Sequence, residues 1–439
     1  MKIVYIADNR NRGNYGCRAT STALSQLIEE DHEIVGTISG KYTHNETGEL
    51  FFVKGLPAKG YEVLSRLKYW KELKKILYML FRYLKKGGRY YYSNFDFISL
   101  DLDKSIDNLI KCLPANPDLK EFDLRQYDFE AIIVNGEGSY IFSSPPWRES
   151  LVISMLIHWA QKLDKKVYFM NAMFSDSPYS VRNMKTINIV SGILRKSQLV
   201  SVREQYSYKY AKEILDLTHT QIYPDALFSW YPLVNDDHRI LNGKYYIPHG
   251  SETNESYYSF DFTKPYVCIS GSSAAGTATK NVNELVELYS NLVIKMKNGF
   301  NSNVYLVHVC EGDDFLLEVG NATKTPVIPL NTPLIAAAKI LANARIYISG
   351  RYHPAIMASL GGTPCVFMSS NSHKTKSLQE LLEYDEVIEY SVVPDDNECD
   401  KIVTHALKLA SQGSNLRDKI RNRAKLLCDE SRKMKENII

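Results

Sequence analysis

The chain reads as short apolar runs separated by amphipathic stretches. Runs rich in Val, Ile, Tyr and Ala at Lys2–Ala7, His32–Ile38, Ala131–Val134, Val167–Ala172, Leu199–Arg203 and Gln221–Tyr223 are expected strands. Three-to-four-residue periodicity between them, as at Ala19–Leu27 and Arg148–Leu163, predicts helices. A polar stretch from Leu233 to Thr263, rich in Gly, Asn and Tyr, interrupts this rhythm. The alternation restarts at Tyr266–Ser270 and continues through Asn303–Val309, Pro326–Leu330, Arg345–Ser349 and Pro364–Met368. Two successive βα series predict an α/β chain with two Rossmann-like domains facing a cleft, a GT-B-like architecture with ligands beyond the carboxyl ends of the strands. The expected division is an N-terminal domain over 1–235, a linker over 236–264, a C-terminal domain over 265–412 and a charged final helix over 413–439. By analogy with such folds, that helix is expected to cross back to the first domain.

Residues 55–125 break the rhythm and form a helical insertion in the first domain. Val63, Leu67, Trp70, Leu73, Leu77, Leu80 and Leu84 recur at helical spacing, while Arg66, Lys68, Lys71, Lys74, Lys75, Arg82, Lys85 and Lys86 make the other face basic. Ten Lys or Arg against two Glu between Lys59 and Arg89 give this segment a local charge of +8 within a chain of net +3. Two readings stand: a helix packed on the first domain with a solvated basic face, or a surface that lies on anionic lipid at the inner face of the membrane or grips a lipid pyrophosphate. Nucleic acid fits poorly, because the whole chain is nearly neutral and no nucleic-acid module accompanies the patch.

At 44% hydrophobic and 23% charged residues, the composition is that of a globular protein, and 439 residues exceed one ordinary core. The seven cysteines (17, 112, 268, 310, 365, 399 and 428) form no CxxC pair, so neither a zinc ribbon nor a disulfide framework is indicated. No metal site and no bound cofactor are expected. This cysteine usage fits a reducing compartment. A strand-like start without a signal peptide, and no apolar stretch near the ~18 residues of a membrane span, lead to a cytoplasmic expectation.

The strongest chemical constellation is Ser349-Gly350-Arg351-Tyr352-His353-Pro354. A β-like run ends at Ser349-Gly350, and Pro354 suits the first turn of a helix. Arg351 and His353 therefore fall where free N–H groups and the helix dipole favour an anion. Arg offers a planar fork for carboxylate or phosphate, and His exchanges protons near neutral pH. The same spacing also suits a buried Arg closing an ion pair and a His capping a helix. Ser270 to Thr277, after the first strand of the second series, is either a phosphate cradle or a flexible loop. His158 and His308 sit on apolar elements and read as packed histidines.

This segment resembles the Arg-Leu-His signature of the polysaccharide pyruvyl transferase family, with Tyr352 in place of Leu. The helix from Pro354, Gly362-Thr363-Pro364, the strand Cys365–Met368 and Lys374 follow in the family's order. Three further segments are similar: the Asn11–Gly16 turn, the Asn135–Ser139 loop closing the strand Ala131–Val134, and Ser201–Ser207, with Glu204 replacing the family's Asp. Pro224-Asp225-Ala226 matches the family's Pro-Asp step. Residues 40–125 and the linker carry no recognisable part of the pattern.

The resemblance implies phosphoenolpyruvate as donor and a pyruvate ketal placed on a sugar of a cell-surface polysaccharide or its lipid-linked precursor. It implies a donor site of Arg203, Arg351, His353 and Lys374 with Ser349 and Gly350, the two arginines clamping the donor from opposite domains. His353 is the implied general acid, and Arg351 the implied electrostatic catalyst. Asn14, Asn135, Glu137 and Asp225 are the implied acceptor side. Two other classes remain open on the residues alone. A GT-B glycosyltransferase would bind a nucleotide sugar at Ser270–Thr277, and a non-catalytic glycan-binding protein would keep only the fold.

Overall fold

The computed structural model describes residues 1–40, 97–115, 117–178, 180–235, 260–279 and 281–439. The expected basic helix and the whole of Lys59–Arg89 lie outside the described residues, as does most of the expected linker.

Six strands of the first series form one parallel sheet: β1 (Lys2–Asp8), β2 (Glu33–Ser39), β3 (Ala131–Phe142), β4 (Lys166–Asp176), β5 (Leu199–Val202) and β6 (Thr220–Ile222). Their order is β2-β1-β3-β4-β5-β6. Apolar runs such as Ala131–Val134 are buried along their whole length, as strands covered on both faces must be. Val4, Ile132, Val134, Phe169 and Val200 join Leu109, Leu156 and Val190, from three helices, in one core. Burial of that continuous apolar surface is what holds the sheet.

The second series builds another parallel sheet from β7 (Tyr266–Ser272), β8 (Asn303–Val307), β9 (Val327–Ile328), β10 (Ile346–Gly350), β11 (Cys365–Met368) and β12 (Glu389–Tyr390). Its order is β12-β11-β10-β7-β8-β9. Counted from β7, this is the 3-2-1-4-5-6 order of dinucleotide-binding sheets, and it reverses between β7 and β10. The expected α/β architecture of two Rossmann-like sheets is thus present. Only β12, Glu389–Tyr390 at the edge of the sheet, was not foreseen.

Two strands run further than the sequence pattern suggested. The loop expected at Asn135–Ser139 lies inside β3, which continues to Phe142, and β4 continues to Asp176. Both strands absorb a left-handed residue: Glu137 (φ 35°) in β3 and Asn171 (φ 55°) in β4, with Ala7 (φ 60°) at the same level of β1. The pairing register shifts at these places, so each strand bulges and then resumes. Gly136 has to be glycine here. A Cβ would lie 2.5 Å from the Ala172 Cβ and 2.8 Å from the Phe169 ring.

The chain divides into two compact units, one of residues 1–11, 25–223 and 434–439, the other of residues 12–24 and 224–433. The helix Gly413–Arg432 belongs to the second unit, where Arg417 donates to the carbonyls of Ala344, Ala342 and Gly361. Residues 434–439 belong to the first. There Lys435 pairs with Glu30 and Asp31, and Asn437 donates to the Tyr223 hydroxyl.

In the first unit, Glu121 lies on the short helical stretch Pro117–Phe122. Burial raises its carboxyl to about 7, the Ser39 N–H opposes that, and Asp8 adds to it. A carboxyl whose folded pKa lies above its unfolded value stabilises the protein fully at low pH, and that contribution is lost as pH rises through about 7. Glu121→Gln is therefore expected to raise the melting temperature at pH 8 and to leave it nearly unchanged at pH 5. Melting curves at the two pH values check this, and an equal shift at both would contradict it.

Candidate functional site

The site of the second unit forms where its sheet reverses. β7 and β10 end side by side, and the loops after them flank the switch point at which open α/β sheets bind ligands. Chain direction changes at Arg351, whose backbone is extended (φ −104°, ψ 119°) and forms the N-cap of the helix Tyr352–Leu360. No side chain caps this helix. The Arg351 N–H is instead taken by the Ser349 hydroxyl at 2.9 Å. Ser349 is itself tied to Ser270 Oγ at 2.7 Å, and Ser270 to the Tyr347 hydroxyl at 2.6 Å. This file of buried hydroxyls fixes the strand end. At Gly350 a Cβ would fall 2.3 Å from Ser272 Oγ and 2.8 Å from the Ser369 carbonyl, so β7 and β10 approach this closely only with glycine there.

The Arg351 guanidinium is held by Asp313, with Nε donating to Oδ2 at 3.2 Å and Nη2 donating to Oδ1 at 2.5 Å. The Asp313 side chain is fully buried, and that of Arg351 is 11% exposed. Burial pushes the Asp313 carboxyl upward and Arg351 pulls it back. For the arginine, burial opposes the charge, and the Asp313 carboxylate more than restores it. Of the two readings the sequence left open for Arg351, the ion pair is therefore present. It engages Nε and one Nη2 hydrogen, two of the five guanidinium donors. Sequence reasoning missed Asp313. Its signal was Cys310-Glu311-Gly312-Asp313-Asp314, an acidic turn with glycine directly after a β-strand. Gly271 makes room for it, since a Cβ there would stand 2.1 Å from Asp313 Oδ1.

His353, two residues on, is 8% exposed and faces Asp225, with Nε2 3.2 Å from Oδ2. Asp225, expected on the acceptor side, thus stands beside the expected acid. Asn14 begins the helix Tyr15–Glu29, where its Oδ1 accepts from the N–H groups of Gly16 (2.8 Å) and Cys17 (3.2 Å). Its amide acts as an N-cap, with Tyr15 N–H donating to the Val309 carbonyl at 2.9 Å. Lys374 opens the helix Lys374–Leu381, one turn beyond β11. The loop from Ser270 to Thr277 is not loose: Ser272 donates to the Ser369 carbonyl at 2.6 Å, and Ser273 donates to Asn371 Oδ1 at 3.3 Å. His308 Nε2 lies 2.8 Å from Asp314 Oδ1 without making a hydrogen bond to it, and the half-buried His158 pairs with the exposed Asp103 at 3.1 Å.

Three predicted residues lie in the first unit, whose sheet reverses between β1 and β3. Glu137 accepts from Asn9 Nδ2, and Asn135 Oδ1 accepts from Asn171 Nδ2 at 3.2 Å. Arg203 is fully buried just past β5, and its N–H donates to the Ala172 carbonyl at 3.1 Å. Left-handed backbone at Ala7, Glu137 and Asn171 marks the same level, and strain of this kind gathers at functional sites. Among the described residues no group of three His, Cys, Asp or Glu side chains is gathered as a metal ion would require. Nor is any described helix long and apolar enough to cross a membrane.

Removing one partner of a buried ion pair strands the other charge, at a cost of about 3–5 kcal/mol. Arg351→Ala is expected to lose stability on that scale in urea unfolding, and Asp313→Ala/Arg351→Ala to recover much of it. Equal losses in the single and double variants would contradict the pairing.

No curated protein matches the chain. Among solved structures, a UDP-GlcNAc 2-epimerase from Methanocaldococcus jannaschii is 11% identical over 92% of both chains, with a TM-score of 0.47. The Neisseria meningitidis enzyme of that name, bound to UDP-GlcNAc, is 10% identical over 98% of this chain and 99% of its own, with a TM-score of 0.48. A spinosyn rhamnosyltransferase is 11% identical over 98% of this chain and 95% of its own, with a TM-score of 0.45. These likenesses are weak, and the fold rests on the two sheets themselves. A sequence model of the polysaccharide pyruvyl transferases matches residues 54–372. It takes in the 55–125 segment, where no family pattern was recognised, and Asn135, Glu137, Arg203, Asp225 and Ser349–His353; Asn14 and Lys374 fall outside. Matched over well over half its length, and through the strand-to-helix junction that carries Arg351 and His353, the chain belongs to the polysaccharide pyruvyl transferase family.

Proposed function

We propose that the chain transfers the enolpyruvyl unit of phosphoenolpyruvate to a sugar of a polysaccharide or its lipid-linked precursor, closing a pyruvate ketal and releasing phosphate. The observation that carries this reading is the pairing of Arg351 with His353 at one helix N-terminus on the switch point of the second sheet. Phosphoenolpyruvate bears a carboxylate and a phosphate on a compact frame. A guanidinium fork at the positive end of a helix dipole suits either anion.

In the proposed sequence, His353 protonates the methylene carbon of the donor, and C2 takes on oxocarbenium character. A sugar hydroxyl adds at C2. A second hydroxyl then displaces phosphate and closes the ring. Of the two hydroxyl protons released, one restores His353 and the other leaves with phosphate. Arg351 stabilises the charge on the departing group, its orientation set beforehand by Asp313. Lys374 is assigned to the donor as well. Asn135, whose buried Nδ2 has no partner among the described residues, and Glu137 are assigned to acceptor hydroxyls.

The test supplies phosphoenolpyruvate, or a panel of nucleotide sugars, with synthetic or lipid-linked glycosides and follows phosphate against nucleotide release. Phosphate release with loss of phosphoenolpyruvate is expected. Nucleotide release without consumption of phosphoenolpyruvate would show a nucleotide-sugar glycosyltransferase instead. His353→Ala and Arg351→Lys are each expected to lower turnover at least ~100-fold. The lysine variant keeps the charge opposite Asp313 and removes only the fork.

A further inference from the structure

His353 is fixed by more than its place in the helix. Asp225, which it meets through Nε2, is fully buried and uses both carboxylate oxygens. Oδ1 accepts from Thr20 Oγ1 at 2.7 Å and from the Leu227 N–H at 3.0 Å, and Oδ2 faces His353 Nε2 at 3.2 Å. Thr20 has no exposed surface. An ionised carboxylate only accepts hydrogen bonds, so Nε2 must be the donor. In the neutral ring this leaves the lone pair on Nδ1. Nδ1 lies against Gly16, where a Cβ would stand 2.7 Å from it and 2.8 Å from His353 Cβ.

We propose that Asp225, oriented by Thr20, is a positioning residue that holds His353 in its Nε2–H tautomer, so that the proton passed to the donor and later recovered travels through Nδ1. This rests on the reading of His353 as the acid. It gives Asp225 a role beyond capping the short helical turn Ala226–Trp230, and it gives Gly16 one as well: an alanine there would crowd the nitrogen that does the work.

The tautomer is directly measurable. Histidine labelled with 15N in both ring nitrogens reports it at a pH where the ring is neutral, and His353 is picked out of the ten histidines by its absence in His353→Ala. The wild type is expected to show Nε2–H. In Asp225→Asn the side-chain amide can donate to Nε2, so the signal should move towards Nδ1–H. Turnover should fall by about 10²- to 10⁴-fold, the scale of a wrong tautomer in a comparable dyad, with KM for phosphoenolpyruvate nearly unchanged. Thr20→Val, which leaves the carboxylate in place, should lower kcat less, again at constant KM, and carries the test if the asparagine variant does not fold. An unchanged tautomer with near-normal kcat in these variants, alongside inactive His353→Ala, would overturn the positioning role and leave the transfer chemistry standing. An active His353→Ala would instead overturn His353 as the acid, whatever its tautomer.

Discussion

The buried pair between Asp313 and Arg351 is the constraint around which the second unit's site is arranged. A charge taken out of water needs a partner in good geometry, and each of these side chains is the other's. Its demands reach the backbone. Gly271 must lack a side chain for Asp313 to approach, and Gly350 must lack one for β10 to close on Ser272. The hydroxyls of Ser270, Ser349 and Tyr347 then satisfy one another in the remaining buried space. An arginine anchored in this way presents the rest of its fork without having to be ordered by the ligand. That is the form electrostatic catalysis requires, because the charge needs no reorganisation when it is used.

A second buried polar chain runs from Thr20 through Asp225 to His353. The two chains end two residues apart at one helix N-terminus, Asp313 following β8 and Asp225 following β6. Both bring a carboxylate to a cationic or protonatable side chain. Arg351 and His353 are separated by one residue, Tyr352, which is buried and meets His353 edge-on with ring centroids 5.2 Å apart. The helix from Tyr15 contributes Gly16 as clearance and Thr20 as donor, so its glycine turn serves the histidine.

In the first unit, polarity and strain coincide. Ala7, Glu137 and Asn171 hold left-handed backbone on three adjacent strands, and amide and carboxylate side chains cluster at the same level. A sheet interior ordinarily excludes such groups, since each buried polar atom must find a partner. Their retention at the carboxyl end of a sheet, where its strand order reverses, is what a binding role would explain.

The sequence by itself determined the class of the fold. Short runs of three to seven residues alternating with helical periods leave little choice but stacked βα units, and eleven of the twelve strands stand where the pattern put them. It also marked Arg351 and His353, because a strand end followed by Pro354 places them at a helix N-terminus whatever packs around them. What only tertiary structure decided is which side chains they meet. Asp313 lies 38 residues from Arg351, and Asp225 lies 128 from His353, too far apart for any local period to record. The packing of the whole second unit brings those pairs together, and no local segment carries that information. The same holds for Asn135–Ser139: glycines and polar residues read locally as a loop, yet pairing with β4 carries the strand through to Phe142, at the expense of a left-handed Glu137.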